Sequence, residues 1–188
     1  LDLRYPGEDG YVVRTLHNPF GNGFNVVFVG GSSQVGIEKA AHVLIEKLKE
    51  ARKEKSIRLG WLAAIELGRK HELPNGVKDA ETWEASAGYG SIGYFGWNSL
   101  SKRMALYYMT GDPLHAREFL RLAFPDAKAR QEICDIDEER IENKDHPLGG
   151  PYHYNAHLMI LFWDLIEESP VFTDDQRLRV TRAFAEQL

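Results

Sequence analysis

The chain has 188 residues, 43% hydrophobic and 11% aromatic, enough apolar material for one globular domain or two small ones. A net charge of −5, with the basic residues spread along the chain, argues against a nucleic-acid backbone as the main partner, since that role needs a concentrated basic face. No run approaches the roughly 20 apolar residues of a membrane-spanning helix, and the single cysteine, Cys134, rules out an internal disulfide and leaves a cysteine-based zinc site without ligands.

In chain order, residues 11–16 (YVVRTL) and 25–29 (NVVFV) are short, β-branched and bounded by Gly, Pro and Asn, which predicts two strands with an exposed turn at 17–23 between them. The run Gly30-Gly31-Ser32-Ser33 then leads into Ile37, Ala40, Ala41, Leu44, Ile45 and Leu48, a stripe at helical spacing. A glycine-rich turn into a helix start can hold an anion on free N–H groups, but no Lys-Ser/Thr follows and G-x-G-x-x-G is missing, so a plain tight turn is the expectation. The basic stretch 47–58, interrupted by Glu50 and Glu54, reads as a solvated helix end. Residues 57–70 read as a second helix, and 77–93, rich in glycine, as a long loop of functional rather than connecting length.

From Tyr94 the pattern changes. Residues 94–109 (YFGWNSLSKRMALYYM) are apolar over most of a helix circumference, as in a helix surrounded by others. Thr110-Gly111 ends it, Asp112 offers a cap, and Pro113 opens a half-exposed helix running to about Phe124. The same grammar recurs about 60 residues on: 154–166 (YNAHLMILFWDLI), a break at Glu168-Ser169-Pro170, then a helix opened by the capping box Thr173 to Gln176. Between the repeats, 125–147 reads as a charged loop. The chain opens on Leu1 rather than Met, without a charged leader, and reaches Leu188 inside an apolar stripe with no stop signal. It reads as a piece of something longer, from which a leader was removed or the remainder lies beyond Leu188.

A buried helix followed by a half-exposed one, twice, predicts concentric packing of inner and outer helices. The expected fold is mainly α with a small α/β N-terminal part: an α/β segment over 1–55, a helix and long loop over 56–92, and hairpins of an incomplete α/α toroid over 93–188.

The stretches LSKRMALYYMTGDPLHAREFLRLAF at 100–124 and GGPYHYNAHLMILFWDLIEESPVFTDDQRL at 149–178 resemble α/α-toroid carbohydrate-active enzymes, particularly polysaccharide lyases of the alginate-lyase and heparinase type. The opening strand, Gly-Gly-Ser and helix resemble the small α/β domain that precedes the catalytic domain in several glycan-degrading enzymes. The resemblance implies a polysaccharide or oligosaccharide substrate, a secreted or periplasmic location, and a groove lined by the starts of the inner helices; no nucleic acid and no membrane are expected as partners, from the charge and hydropathy above.

Those starts carry Tyr94, Trp97 and Asn98 on one side, and Tyr152, His153, Tyr154, Asn155 and His157 on the other, just after Gly149-Gly150. Cleaving a uronate chain by β-elimination needs a group on the sugar carboxylate, a base for the C5 proton and an acid for the departing oxygen; Asn, His or Tyr, and Tyr fill these roles. On a helix, positions 153, 154 and 157 fall within about 100° of one another, so His153, Tyr154 and His157 are the expected proton-transfer groups, with Asn155 or Asn98 for the carboxylate. Tyr94, Trp97 and Tyr152 are the expected substrate contacts, Trp97 by stacking on a pyranose face. Each of these residues also suits plain packing or capping. His153 and His157, four apart with His146 nearby, could ligate zinc, but H-E-x-x-H is absent and no cofactor, zinc or calcium, is expected. A glycoside hydrolase on the same scaffold would need two carboxyl groups from among Glu81, Glu84, Asp135, Asp137, Glu138, Glu139, Asp145 and Asp164, the last about 15 Å down its helix from Tyr154. A non-catalytic helical-repeat binding module is the third reading.

Overall fold

A computed structural model of the chain describes residues 1–53, 56–76, 79, 97–137, 143–149 and 154–186, and at 53, 134–137 and 154–156 it describes the path of the chain and not the side chains. The long loop expected at 77–93 therefore falls almost wholly outside the described residues, as do Tyr94, Tyr152, His153, Glu81, Glu84, Glu138 and Glu139. The chain forms two compact units, Leu1–Leu73 and Pro74–Leu188. It is mainly helical, with six helices among the described residues and a small antiparallel sheet at the N-terminus.

In the first unit, β1 (Tyr11–Leu16) is the central strand, flanked by β2 (Val26–Gly31) and by a later strand, Ala63–Glu66, both antiparallel to it. Val13 faces Val29 on one side and Ala64 on the other, and with Ala40 and Leu62 it forms the core beneath α1 (Gln34–Ala51). Two short strands, β3 (Arg52–Lys53) and β4 (Ser56–Ile57), pair after the helix, and Ala63–Glu66 is β5 in chain order. The helix expected over 57–70 is thus corrected: Leu59, Leu62 and Ile65 have helical spacing, but the segment is bracketed by Gly60 and Gly68 and completes the sheet. Thr15 pins it, its N–H donating to the Leu62 carbonyl and its Oγ1 accepting from the Leu62 N–H, both at 2.9 Å. The pairing gives Tyr11–Arg14 a second strand partner, where a surface helix would leave the backbone groups on that edge of β1 without one. The first unit consequently runs to Leu73, past the boundary expected at 55.

The glycines before α1 have a steric role. A Cβ on Gly31 would fall on the backbone of Gly36, and a Cβ on Gly36 would fall on the Gly10 carbonyl. Only hydrogen side chains let helix and strand ends cross this closely. Ser33 caps α1 by accepting from the Gly36 N–H at 3.2 Å and donates to the Asp9 carboxylate at 2.9 Å. The helix start is thus filled by the protein's own cap and an acidic group, as a plain tight turn requires.

The second unit is helical. Helix α2 (Ser99–Thr110) ends at Gly111, whose φ of 71° is the left-handed cap conformation glycine adopts without penalty. Asp112 caps α3 (Pro113–Ala123) through the Leu114 N–H at 2.8 Å, with Pro113 in the first turn. Helix α4 (Ala127–Asp137) occupies part of the stretch expected to be a charged loop. Its start is capped by Asp126, accepting from the Ala129 N–H at 2.8 Å, and Ala129 and Ile133, four apart, are fully buried. Arg121 ties α3 to α4, bonding Glu118 and Glu132 at 2.7 Å each. Helix α5 (Tyr154–Ile166) is followed by α6 (Asp174–Ala185), opened by the expected Thr173–Gln176 capping box.

Two contacts fix the direction of α5 relative to α2. At the start of α2, the Asn98 amide lies 3.6 Å from Met159 Sδ; near its end, the Tyr107 hydroxyl bonds Ser169 Oγ. Asn98 opens α2 and Met159 lies in the second turn of α5, while Tyr107 is in the last turn of α2 and Ser169 follows the end of α5. The two helices therefore run parallel, α5 beginning about a turn and a half before α2. Arg103 meets His115 at 3.2 Å, and Trp163 donates to Thr181 at 3.1 Å, so α3 and α6 run back antiparallel to their partners. The core between them is aromatic: Trp163 stands 5.1 Å from Phe172 and 5.9 Å from Phe119, with Tyr107 edge-on to Phe172. Ring pairs at such offset and edge geometries add to the stabilisation from burial. Helix α2 is buried over most of its circumference, as its composition predicts. Helix α5 is not: His157, Leu161 and Asp164 form an exposed stripe along it, Leu161 at 52%.

Candidate functional site

Because α2 and α5 are parallel and α3 and α6 return antiparallel, the starts of the first pair and the last turns of the second share one end of the helical unit. Of the residues for which chemistry was expected, Trp97, Asn98, Tyr154, Asn155 and His157 are described, and they lie toward that end. Asn98 is fully buried and engaged: its Oδ1 accepts from the Ser101 N–H at 2.9 Å and its own N–H donates to Ser101 Oγ at 2.9 Å, a reciprocal cap. Trp97 is 8% exposed and packs 5.8 Å from Phe162, with Leu158 beside it, filling the seam between α2 and α5. Both therefore act in this structure as packing and capping groups that hold the start of α2 against the second and third turns of α5.

Tyr154 and Asn155 are the first two residues of α5, and His157, in its first turn, is exposed. These three are brought to the same end as Asn98. Lys102, one turn into α2, is buried at 3% exposure, which is unusual for a lysine. Of the carboxylates weighed for a hydrolase, Asp164 is exposed well down α5, Asp145 is bound to Arg130 at 2.8 Å, and Asp135 and Asp137 lie in the last turn of α4. Among the described residues no group of three or more His, Cys, Asp or Glu could hold a metal ion.

One titrating contact lies between α2 and α3. The His115 imidazole is held below its ordinary pKa first by burial and then by the Arg103 guanidinium beside it. At neutral pH it is therefore uncharged and offers Nδ1 to Arg103 as an acceptor.

An open cleft of about 550 Å³ lies at the same end, lined by Phe124 and Pro125 after α3, residues 143–149, and Arg179, Ala183 and Glu186 of α6 and its C-terminal cap. No single motif marks it, since its walls come from three separated stretches. The one available signal was Asn143, followed by Asp145 and His146: Asn143 Oδ1 accepts the N–H groups of both and folds the segment into a turn.

Compared with known proteins, the chain matches no family model, no curated protein and no solved structure. The chemistry of the site rests on its own residues.

Proposed function

We propose that the helical unit belongs to an incomplete α/α toroid and that the protein is a polysaccharide lyase, cleaving a uronate-containing glycan by β-elimination. The observation that carries this reading is the parallel pairing of α2 and α5 with their starts at one end. Parallel inner helices, each followed by an antiparallel outer one, are the repeating unit of such a ring, and they collect loops and helix starts into a groove.

In this reading His157 removes the C5 proton, Asn155 binds the sugar carboxylate and so stabilises the charge that develops beside it, and Tyr154 protonates the leaving oxygen. The C5–H pair becomes the C4–C5 double bond as the C4–O bond breaks and its electrons leave with the oxygen. Asn98 and Trp97 are positioning residues, holding the α2 start against α5.

Incubation with uronate polymers, following absorbance of the new C4–C5 double bond, tests the proposal. The expected result is absorbance that falls 10²–10⁴-fold in His157→Ala, the usual cost of losing a general base. New reducing ends without absorbance point instead to a glycoside hydrolase, and binding with neither signal to a binding module.

A further inference from the structure

The cleft of about 550 Å³ is within the volume range of small-molecule sites and has room for more than one sugar ring. Its polar groups are unevenly committed. Asp145 is paired with Arg130, and Asn143 uses its Oδ1 on the turn, which leaves its NH₂. Arg179 lies over Phe124, its guanidinium carbon 3.7 Å from the ring centroid. A guanidinium over a ring face still has N–H groups for a planar acceptor such as a carboxylate. Arg121, Arg130 and Arg177 each have a carboxylate partner, but among the described residues Arg179 has none. The Glu186 carboxylate likewise has no cationic partner among them, and Ala123, Leu148 and Ala183 supply an apolar floor.

We infer that this cleft is a saccharide subsite that takes a uronate unit, its carboxylate on Arg179, its hydroxyls donating to Glu186, and its CH face on the apolar floor. The charge pattern selects the ligand. One cation and one carboxylate without an ion-pair partner among the described residues fit a sugar with a single negative charge and several hydroxyl donors, whereas a phosphorylated ligand, with nearly two negative charges, would meet more repulsion from Glu186. The inference rests on the lyase reading for its substrate class. It adds a second contact point for the chain at the end where α2 and α5 begin.

The test uses the full chain with trisaccharides of galacturonate and mannuronate, and with their methyl esters, which keep the shape and remove the charge. Binding is followed by calorimetry and by NMR shifts of residues 124, 143–149 and 179–186. The acid form should bind at least tenfold more tightly than its ester and shift those residues. Arg179→Gln should abolish the preference for acid over ester, Arg179→Lys should keep part of it, and Glu186→Gln should tighten binding of the acid severalfold. Equal binding of acid and ester, shifts confined to other residues, or an unchanged preference in Arg179→Gln overturns the subsite. Acid-selective binding at these residues without any double-bond absorbance upholds the subsite and removes only the lyase reading. Lyase activity with no shift at the cleft does the reverse.

Discussion

The two units reach order by opposite means. The strand-and-helix unit closes where side chains are missing: Gly31, Gly36 and Gly10 bring α1 against the strand ends so closely that a single Cβ meets backbone. The helical unit closes where side chains are largest, on Phe119, Trp163, Phe172 and Met104. Glycine before a helix and aromatics along one can thus each imitate a functional signature. The first imitates a phosphate turn, yet serves close approach and is capped by Ser33. The second imitates a sugar platform at Trp97, yet fills a seam.

That contrast can be broken from either side. The largest effect should come from Phe119→Ala, which removes a ring shared by α3, α5 and the segment after α5; a loss of about 3–5 kcal/mol is expected. It should be read by hydrogen exchange as lost protection in α2, α3 and α5 with the amides of β1 unchanged.

Gly36→Ala comes next. In an isolated helix this change stabilises by about 1 kcal/mol, but here the added carbon meets the Gly10 carbonyl, so a loss of about 1–3 kcal/mol is expected. A rise in the urea midpoint would mean that the helix and strand do not cross as described.

Asn98→Ala should cost about 0.5–2 kcal/mol, the range for losing an N-cap, while Asn98→Ser should recover most of it. Equal losses in both would show that the cap is not the role of Asn98.

The smallest effect is that of pH. His115 has its pKa lowered in the folded state, so the unfolded chain binds the proton more readily, and folding loses stability as pH falls through 6.5 toward the folded value. Melting between pH 8 and 5 should show this acid-side loss, and His115→Gln should flatten it.

The sequence declared its helix ends more clearly than its strands or its site. Gly111, Asp112-Pro113 and Thr173–Gln176 act through their nearest neighbours, so each cap could be read locally and falls where its chemistry requires. Helix α4 was hidden because only Ala129 and Ile133 mark its buried face, set among charged residues that resemble a loop. The strand Ala63–Glu66 was hidden by the accidental helical spacing of Leu59, Leu62 and Ile65, and its true partner, β1, lies some 50 residues earlier. The candidate residues Asn98, Tyr154, Asn155 and His157 could be named from composition, but that one end gathers them depends on parallel packing between segments 60 residues apart. The cleft at Arg179 was beyond reach for the same reason, its walls being joined only by the fold.

The parallel pairing of α2 and α5 carries the functional proposal, and NMR cross-relaxation on the full chain tests it most directly. The Asn98 side-chain NH₂ should give cross-peaks to the Met159 methyl group, and the Tyr107 ring should give them to Phe172. Cross-peaks from Asn98 to Ile166 or Phe172 instead would mean that α5 runs the other way, and the shared end would no longer exist.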